Sequence, residues 1–146
     1  MPFPSNYICS TNSCPRGCMP GLSLELAYGI PIVPVLVNGQ GPFRFVLDTA
    51  ASKTIIDREL AERLGLPEGP EAMALGAGGI MPVRLTCLEE LRLGGLLLRD
   101  LEVGIADLSA FREVLDVPVE GILGSDVLEG SVITIDYRAR LLGIER

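Results

Sequence analysis

The stretch FRFVLDTAAS, Phe43–Ser52, decides how this chain is read. A mostly apolar, strand-like run ends on Asp48 and gives way at once to the small residues Thr49, Ala50, Ala51 and Ser52. A carboxylate at the inner end of an apolar strand is costly to bury unless something pairs with it. Alone, a Leu-Asp-Thr triplet reads as an Asx turn that ends a strand. Any other reading of Asp48 needs a partner for it, and the rest of the sequence must supply one.

Outward from that stretch, the pattern is one of short strands and tight turns. "IPIVPVLVN" reads as a strand whose prolines suit a sheet edge. "NGQGP" (Asn38–Pro42) is a hairpin turn into the Asp48 strand, and "LSLELAYG" is a further strand upstream. Downstream, "KTIIDRELAERLGLPEG" begins as a strand and turns helical, with Leu60, Ala61 and Leu64 at helical spacing and Gly65 and Pro67 as the stop. "AMALGAGGIMPVRLTCLEELRLGG" gives two strands around a glycine-rich tip, and "LLLRDLEVGIADL" another strand. "LSAFREVL" is a short helix candidate, "GILGSDVLEG" an apolar strand end that turns helical, and "SVITIDYRARLLGIER" two strands about a turn. The expectation is an all-β domain over 22–146. Residues 1–21, polar and punctuated by Pro and Gly, read as a poorly ordered N-terminal tail.

Composition narrows the chemistry. Hydrophobic residues make up 48% of the 146, enough for one well-filled core. The net charge of -7 would repel a phosphate backbone, which argues against nucleic acid as a partner. No apolar run is long enough to span a bilayer, and no basic-then-apolar segment opens the chain, so the default compartment is the cytoplasm. There is no histidine, which removes Ser-His and Cys-His nucleophiles and histidine-held zinc. Hydrolysis would have to run on carboxylates, thiolates or an oxygen-held metal. Cys9, Cys14 and Cys18 cluster in the tail without a C-x-x-C spacing or a fourth ligand, so no metal site is assigned to them. Cys87, in an alternating segment, reads as a small core residue.

"FVLDTAAS" (Phe45–Ser52) followed by "GILGSDVL" (Gly121–Leu128) resembles the retropepsin-like aspartic proteases of the single-domain, bacterial type. The hairpin turn, the helix "ELAERLGL", the tip "LGAGGI" and the final "VITIDYRARLLGIE" also fall where that family has them, so the resemblance spans roughly Leu22 to Glu145. It implies a half-barrel with a flap hairpin and one or two short helices, active as a two-fold homodimer. In aspartic proteases two carboxylates about 3 Å apart share one proton; the ionised one activates a water and the protonated one polarises the scissile carbonyl. The resemblance makes Asp48 that carboxylate, one per chain, with its partner on a twin. It makes Thr49, Ala50, Ala51 and Ser52 the active-site loop, with Thr49 bonding across the two-fold axis. Ala50 stands where the family usually has glycine, which lets substrate backbone come close. Gly76, Ala77, Gly78 and Gly79 become the flap tip that closes over peptide, and Ile122, Leu123 and Gly124 the apolar-apolar-Gly element under the loop. No cofactor is implied, and the substrate is a peptide or unfolded protein.

Plainer readings stand beside these. "GAGG" fits a simple hairpin tip and lacks the pattern of a phosphate loop. Asp126 fits a helix start and Asp136 a structural turn. Glu89 and Glu90 are adjacent on a strand, point to opposite faces, and so do not form a carboxylate pair. The alternative function is a dimeric peptide-binding module that keeps the fold without turnover. Removing residues 1–20 is expected to leave melting temperature and activity unchanged; a thermal melt of the truncated chain, and of the full chain with chelator, checks this.

Overall fold

The computed structural model describes residues 21–76 and 78–146. Apart from Gly21, the tail with Cys9, Cys14 and Cys18 lies outside the described residues, as does Ala77. Elements run in order as β1 (Leu22–Ser23), β2 (Glu25–Ala27), β3 (Ile30–Val37), β4 (Gln40–Leu47), β5 (Ile55–Asp57) and α1 (Arg58–Arg63). They continue as β6 (Glu71–Gly76), β7 (Gly79–Leu93), β8 (Leu96–Ala106), α2 (Ser109–Leu115), β9 (Gly121–Leu123), α3 (Ser125–Leu128), β10 (Val132–Asp136) and β11 (Leu141–Glu145). The described residues thus hold three short helices, in the three stretches expected to turn helical.

Local chemistry explains the joints. Asn38 (φ 50) and Gly39 (φ 76) are both left-handed, the twist a two-residue hairpin needs between β3 and β4. Gly65 (φ 69) ends α1: its N–H donates to Glu62 O and that of Leu66 to Ala61 O, a Schellman stop. The stretch expected as one strand, "LSLELAYG", is broken at buried Leu24, whose N–H donates to Arg140 O. There the chain leaves one sheet for another, because β1 pairs with β11 while β2 pairs with β3.

The larger sheet has the order β2-β3-β4-β9-β5-β8-β7-β6, and β3 also pairs with β7 through Leu36–Arg92 and Val37–Leu91. That extra pairing closes β3, β4, β9, β5, β8 and β7 into a barrel. β6 extends beyond it with the far end of β7 as a projecting hairpin. Asn38 seals the closure, its N–H donating to Glu90 O and its Oδ1 accepting from Glu90 N–H. Val33, Val35 and Val37 alternate into the barrel with Phe45, Leu91 and Leu123. Most neighbours are antiparallel, but β4–β9 and β5–β8 are parallel. β1, β11 and β10 form a separate three-stranded sheet.

Two expectations are corrected. β3 is not an edge strand: β2 covers Ile30–Ile32 and β7 joins at Leu36. Pro34 is tolerated because that side of the strand is open between those two partners, so its missing N–H deprives no neighbour there. Cys87 is exposed rather than buried. It sits opposite Glu102, while Thr86 and Leu88 on either side turn inward. The inward parity of β7 changes between Val83 and Thr86, so the alternation that buries Val83 leaves Cys87 outside.

Phe45 and Gly121 face each other across the parallel pair, and a Cβ on Gly121 would meet the Phe45 ring at 2.4 Å. The ring is fully buried, so it cannot move aside. Gly121→Ala is therefore expected to cost about 1–3 kcal/mol by overpacking. At roughly 2–4 °C per kcal/mol for a chain of this size, a thermal melt would show the fall directly.

Candidate active site

Asp48 follows directly on β4, and the parallel partner β9 determines where it lies. Its N–H donates to Leu123 O at 3.0 Å. The chain then turns tightly: Ala51 N–H donates to Asp48 O, and Ala50 N–H to Asp48 Oδ1 at 3.0 Å. Asp48 is half-buried, Thr49, Ala50 and Ser52 are exposed, and Ala51 is buried. Ala50 is not among the residues with positive φ, so alanine strains no backbone there. Ile122, Leu123 and Gly124 are buried directly beside the loop. Ser125 N–H donates to Ala51 O. A Cβ on Gly124 would lie 2.8–2.9 Å from Lys53 C, Lys53 O and Ala51 O, so only glycine fits there.

The residue that ties these pieces together escaped the sequence reading. Thr54 is fully buried; its Oγ1 donates to Asp126 Oδ1 at 2.8 Å and accepts from Gly124 N–H at 3.1 Å. Thr54 N–H donates to Asp126 Oδ2 at 3.0 Å. Asp126 does lie in the first turn of α3 and accepts from Val127 N–H, but that helix has four residues and little dipole. Its carboxylate serves chiefly to hold Thr54. Asp136 likewise has a turn role, accepting from Ala139 N–H.

Above the loop stands the β6–β7 hairpin, with Gly76, Gly78 and Gly79 at its tip. Ser52 joins the hairpin to the loop in both directions, one residue short of the tip: Ser52 N–H donates to Leu75 O at 2.8 Å and Leu75 N–H to Ser52 Oγ at 3.0 Å. Loop and hairpin enclose a cavity of about 330 Å³. Its walls include Ile55, Ile80, Met81, Phe111 and Ile122, and Asp48 is the one carboxylate among its described lining residues. Lys53 also lines it, but its Nζ is paired with Glu102 at 3.2 Å.

A second aspartate unforeseen in the sequence lies behind this wall. Asp57 is 3% exposed, accepts from Leu108 N–H at 2.9 Å, and pairs with Arg112 Nη1 at 3.0 Å. The hydrogen bond to Asp57 raises the Arg112 pKa further above its ordinary value. At the start of α2, the hydrogen bond from Ser109 N–H holds the Asp107 carboxyl below its ordinary range. That contribution to stability is present above the ordinary carboxylate pKa and is lost as pH falls through the lowered one.

The sequence matches the family model described as aspartyl protease over residues 33–127. That is well over half its length, and the chain belongs to the aspartyl protease family. A retropepsin-like aspartic protease from Rickettsia conorii has the same fold, with a TM-score of 0.60 at 18% identity over 84% of this chain and 86% of that one. The EIAV protease complexed with the inhibitor HBY-793 aligns over 68% of this chain and 86% of its own, at 24% identity and a TM-score of 0.49. A search of curated proteins gives no significant match. The fold is thus retropepsin-like: mostly β, with a flap hairpin. Family and fold together support a protease-type function.

Thr54→Val keeps the volume but leaves Gly124 N–H without its buried acceptor and removes a donor from Asp126. The expected loss is about 1–3 kcal/mol of stability, read as a lower midpoint in a urea titration with an unchanged slope.

Proposed function

We propose that the chain is an aspartic endopeptidase in which Asp48 of each of two identical subunits activates one water for attack on a peptide bond. The observation that carries this reading is the state of Asp48. It is the one carboxylate among the described lining residues of a largely apolar cavity, and it is followed by the exposed residues Thr49 and Ala50. Buried Asp57 and half-buried Asp126 have both oxygens engaged, whereas Asp48 accepts one hydrogen bond among the described residues, at Oδ1. Its second oxygen is left for a reactant.

In this reading the protease domain covers 22–146, preceded by a tail. Two chains meet about a two-fold axis through the Asp48 loops, with Thr49 bonding across and the terminal strands adding area. The two carboxylates share one proton: the ionised one takes a proton from the water, and the other donates to the carbonyl oxygen. The hairpin tip Gly76–Gly79 closes over an extended peptide and excludes bulk water. The chemistry needs no cofactor.

A second reading, a dimeric peptide-binding module without turnover, draws on the exposed methyl of Ala50. One set of assays separates the two. Wild-type chain is expected to cleave an unstructured protein, and Asp48→Asn to abolish cleavage; binding without cleavage in the wild type selects the second reading. Activity per chain should fall on dilution through the dimer dissociation constant. An excess of Asp48→Asn chain, given time to exchange subunits, should poison the wild type. Activity should also fall as rising pH removes the shared proton. Constant activity per chain at concentrations where sedimentation finds only monomer contradicts the shared site.

A further inference from the structure

We infer that Asp57 and Arg112 are a positioning couple that fixes helix α2, so that Phe111 sets which peptide side chains the cavity prefers. The inference rests on the proposed reading of this cavity as the peptide site.

Little else fixes the rotation of α2. The helix has seven residues, and Leu115 is its one buried residue. Phe111 and Val114 are exposed at 38% and 73%. The cap residue Leu108 and the last residue Leu115 are buried and pin the two ends, which leaves rotation about the line between them to a further constraint. The couple supplies the missing constraint from the other side. Asp57 Oδ1 takes the N–H of Leu108, just before the helix, and Oδ2 takes Arg112 in its middle. Arg112 Nη1 also donates to Val119 O at 3.3 Å, on the segment that leads into β9. The end of β5, the helix and the approach to β9 are thereby stitched at one buried point.

A buried ion pair adds little net stability over an apolar replacement of equal volume, but it is directional. What it gives here is orientation. Asp57 also starts α1 yet makes no side-chain cap there, so its carboxylate is committed to α2.

Phe111 is the residue through which that orientation reaches the site. It lines the cavity that holds Asp48 and also a separate apolar hollow of about 250 Å³ with Ile30, Val46, Val114 and Leu115. The ring is thus the partition between two spaces. Phe111 precedes Arg112 by one residue, roughly 100° around the helix. A roll of α2 would therefore carry the ring sideways and exchange volume between the cavity and the hollow. Arg112 touches neither space, so it acts on substrate only through Phe111.

The test uses two acetylated decapeptides that differ only by Phe or Ala at the centre. Their affinities are measured on the full chain carrying Asp48→Asn, so that binding is read without turnover. To this background are added Phe111→Ala, Arg112→Lys, or the charge-free pair Asp57→Asn with Arg112→Gln. Phe111→Ala should lower the Phe-over-Ala preference about tenfold, the scale on which an apolar pocket discriminates. Arg112→Lys and the charge-free pair should each lower it roughly threefold or more, as a displaced wall would. A preference ratio unchanged in the couple variants, with melting temperature alone falling, would mark the pair as merely structural and overturn the inference. If the charge-free pair does not fold, Arg112→Lys decides. Cleavage of the same peptides by wild type is scored separately: a shifted preference without cleavage keeps the couple and removes the catalytic reading. A chain that binds neither peptide overturns both.

Discussion

The parallel pairing of β4 with β9 is the constraint on which the site depends. Parallel strands end at the same edge of a sheet, so the Asp48 loop and the Gly124 turn leave the barrel side by side. An antiparallel partner would have put them at opposite ends. Once adjacent, they lock: Asp48 N–H on Leu123 O, Ser125 N–H on Ala51 O, and Gly124 N–H on Thr54 Oγ1. The absence of a side chain at Gly124 permits that closeness, because any Cβ would run into the backbone of Lys53 and Ala51. β5 completes the arrangement. It is antiparallel to β9, which brings Thr54, just before its start, to the end of β9 where Asp126 lies in the first turn of α3.

The flap hairpin draws its order from a different source. Its backbone ladder runs from Glu71–Arg84 to Gly76–Gly79, yet Met73, Leu75 and Ile80 are more than half exposed. These side chains line the outer face of the ladder, while Ala74 and Val83 on its inner face are buried. The paired hydrogen bonds between Ser52 and Leu75 then set the height of the hairpin over the loop. Ala51, Ile55, Ala74 and Ile122 pack beneath that junction as one apolar cluster. A peptide in the cavity would bury the exposed flap residues, so binding and flap closure would draw on the same hydrophobic surface.

Much of this was legible from local chemistry. The Asn-Gly turn, the Gly65 stop and the glycines of the hairpin tip each announce a backbone conformation, and the strands follow from alternation between them. Residues whose roles depend on distant partners were not legible. Thr54 looks like any strand threonine until β9 brings Asp126 to it. Asp57 precedes a helix and reads as an ordinary cap; its real partners, Leu108 N–H and Arg112, are about fifty residues away. Cys87 was misread because the inward parity of β7 switches between Val83 and Thr86, a change that only the strands packed around it determine. Pro34 was misjudged for the same reason: whether a strand is an edge depends on how long its neighbours are.

The three aspartates around the loop show how the chain directs its polar side chains. Asp57 and Asp126 are each engaged at both oxygens, by a backbone N–H and an arginine in one case and by Thr54 and Val127 in the other. Groups so satisfied are fixed in orientation and unreactive. Asp48 alone is engaged at one oxygen, steadied by Ala50 N–H, with the other unbonded among the described residues. In a single chain water can reach it, and an isolated solvated carboxylate is a poor catalyst for amide hydrolysis. In the proposed dimer a second Asp48 would replace that water, and the like charges would force the pair to hold a proton between them. Assembly would then create the acid and the base in one step. The dense bonding of Thr54, Asp126 and Gly124 is what such a step requires, since two loops that must meet with carboxylates about 3 Å apart cannot themselves be loose.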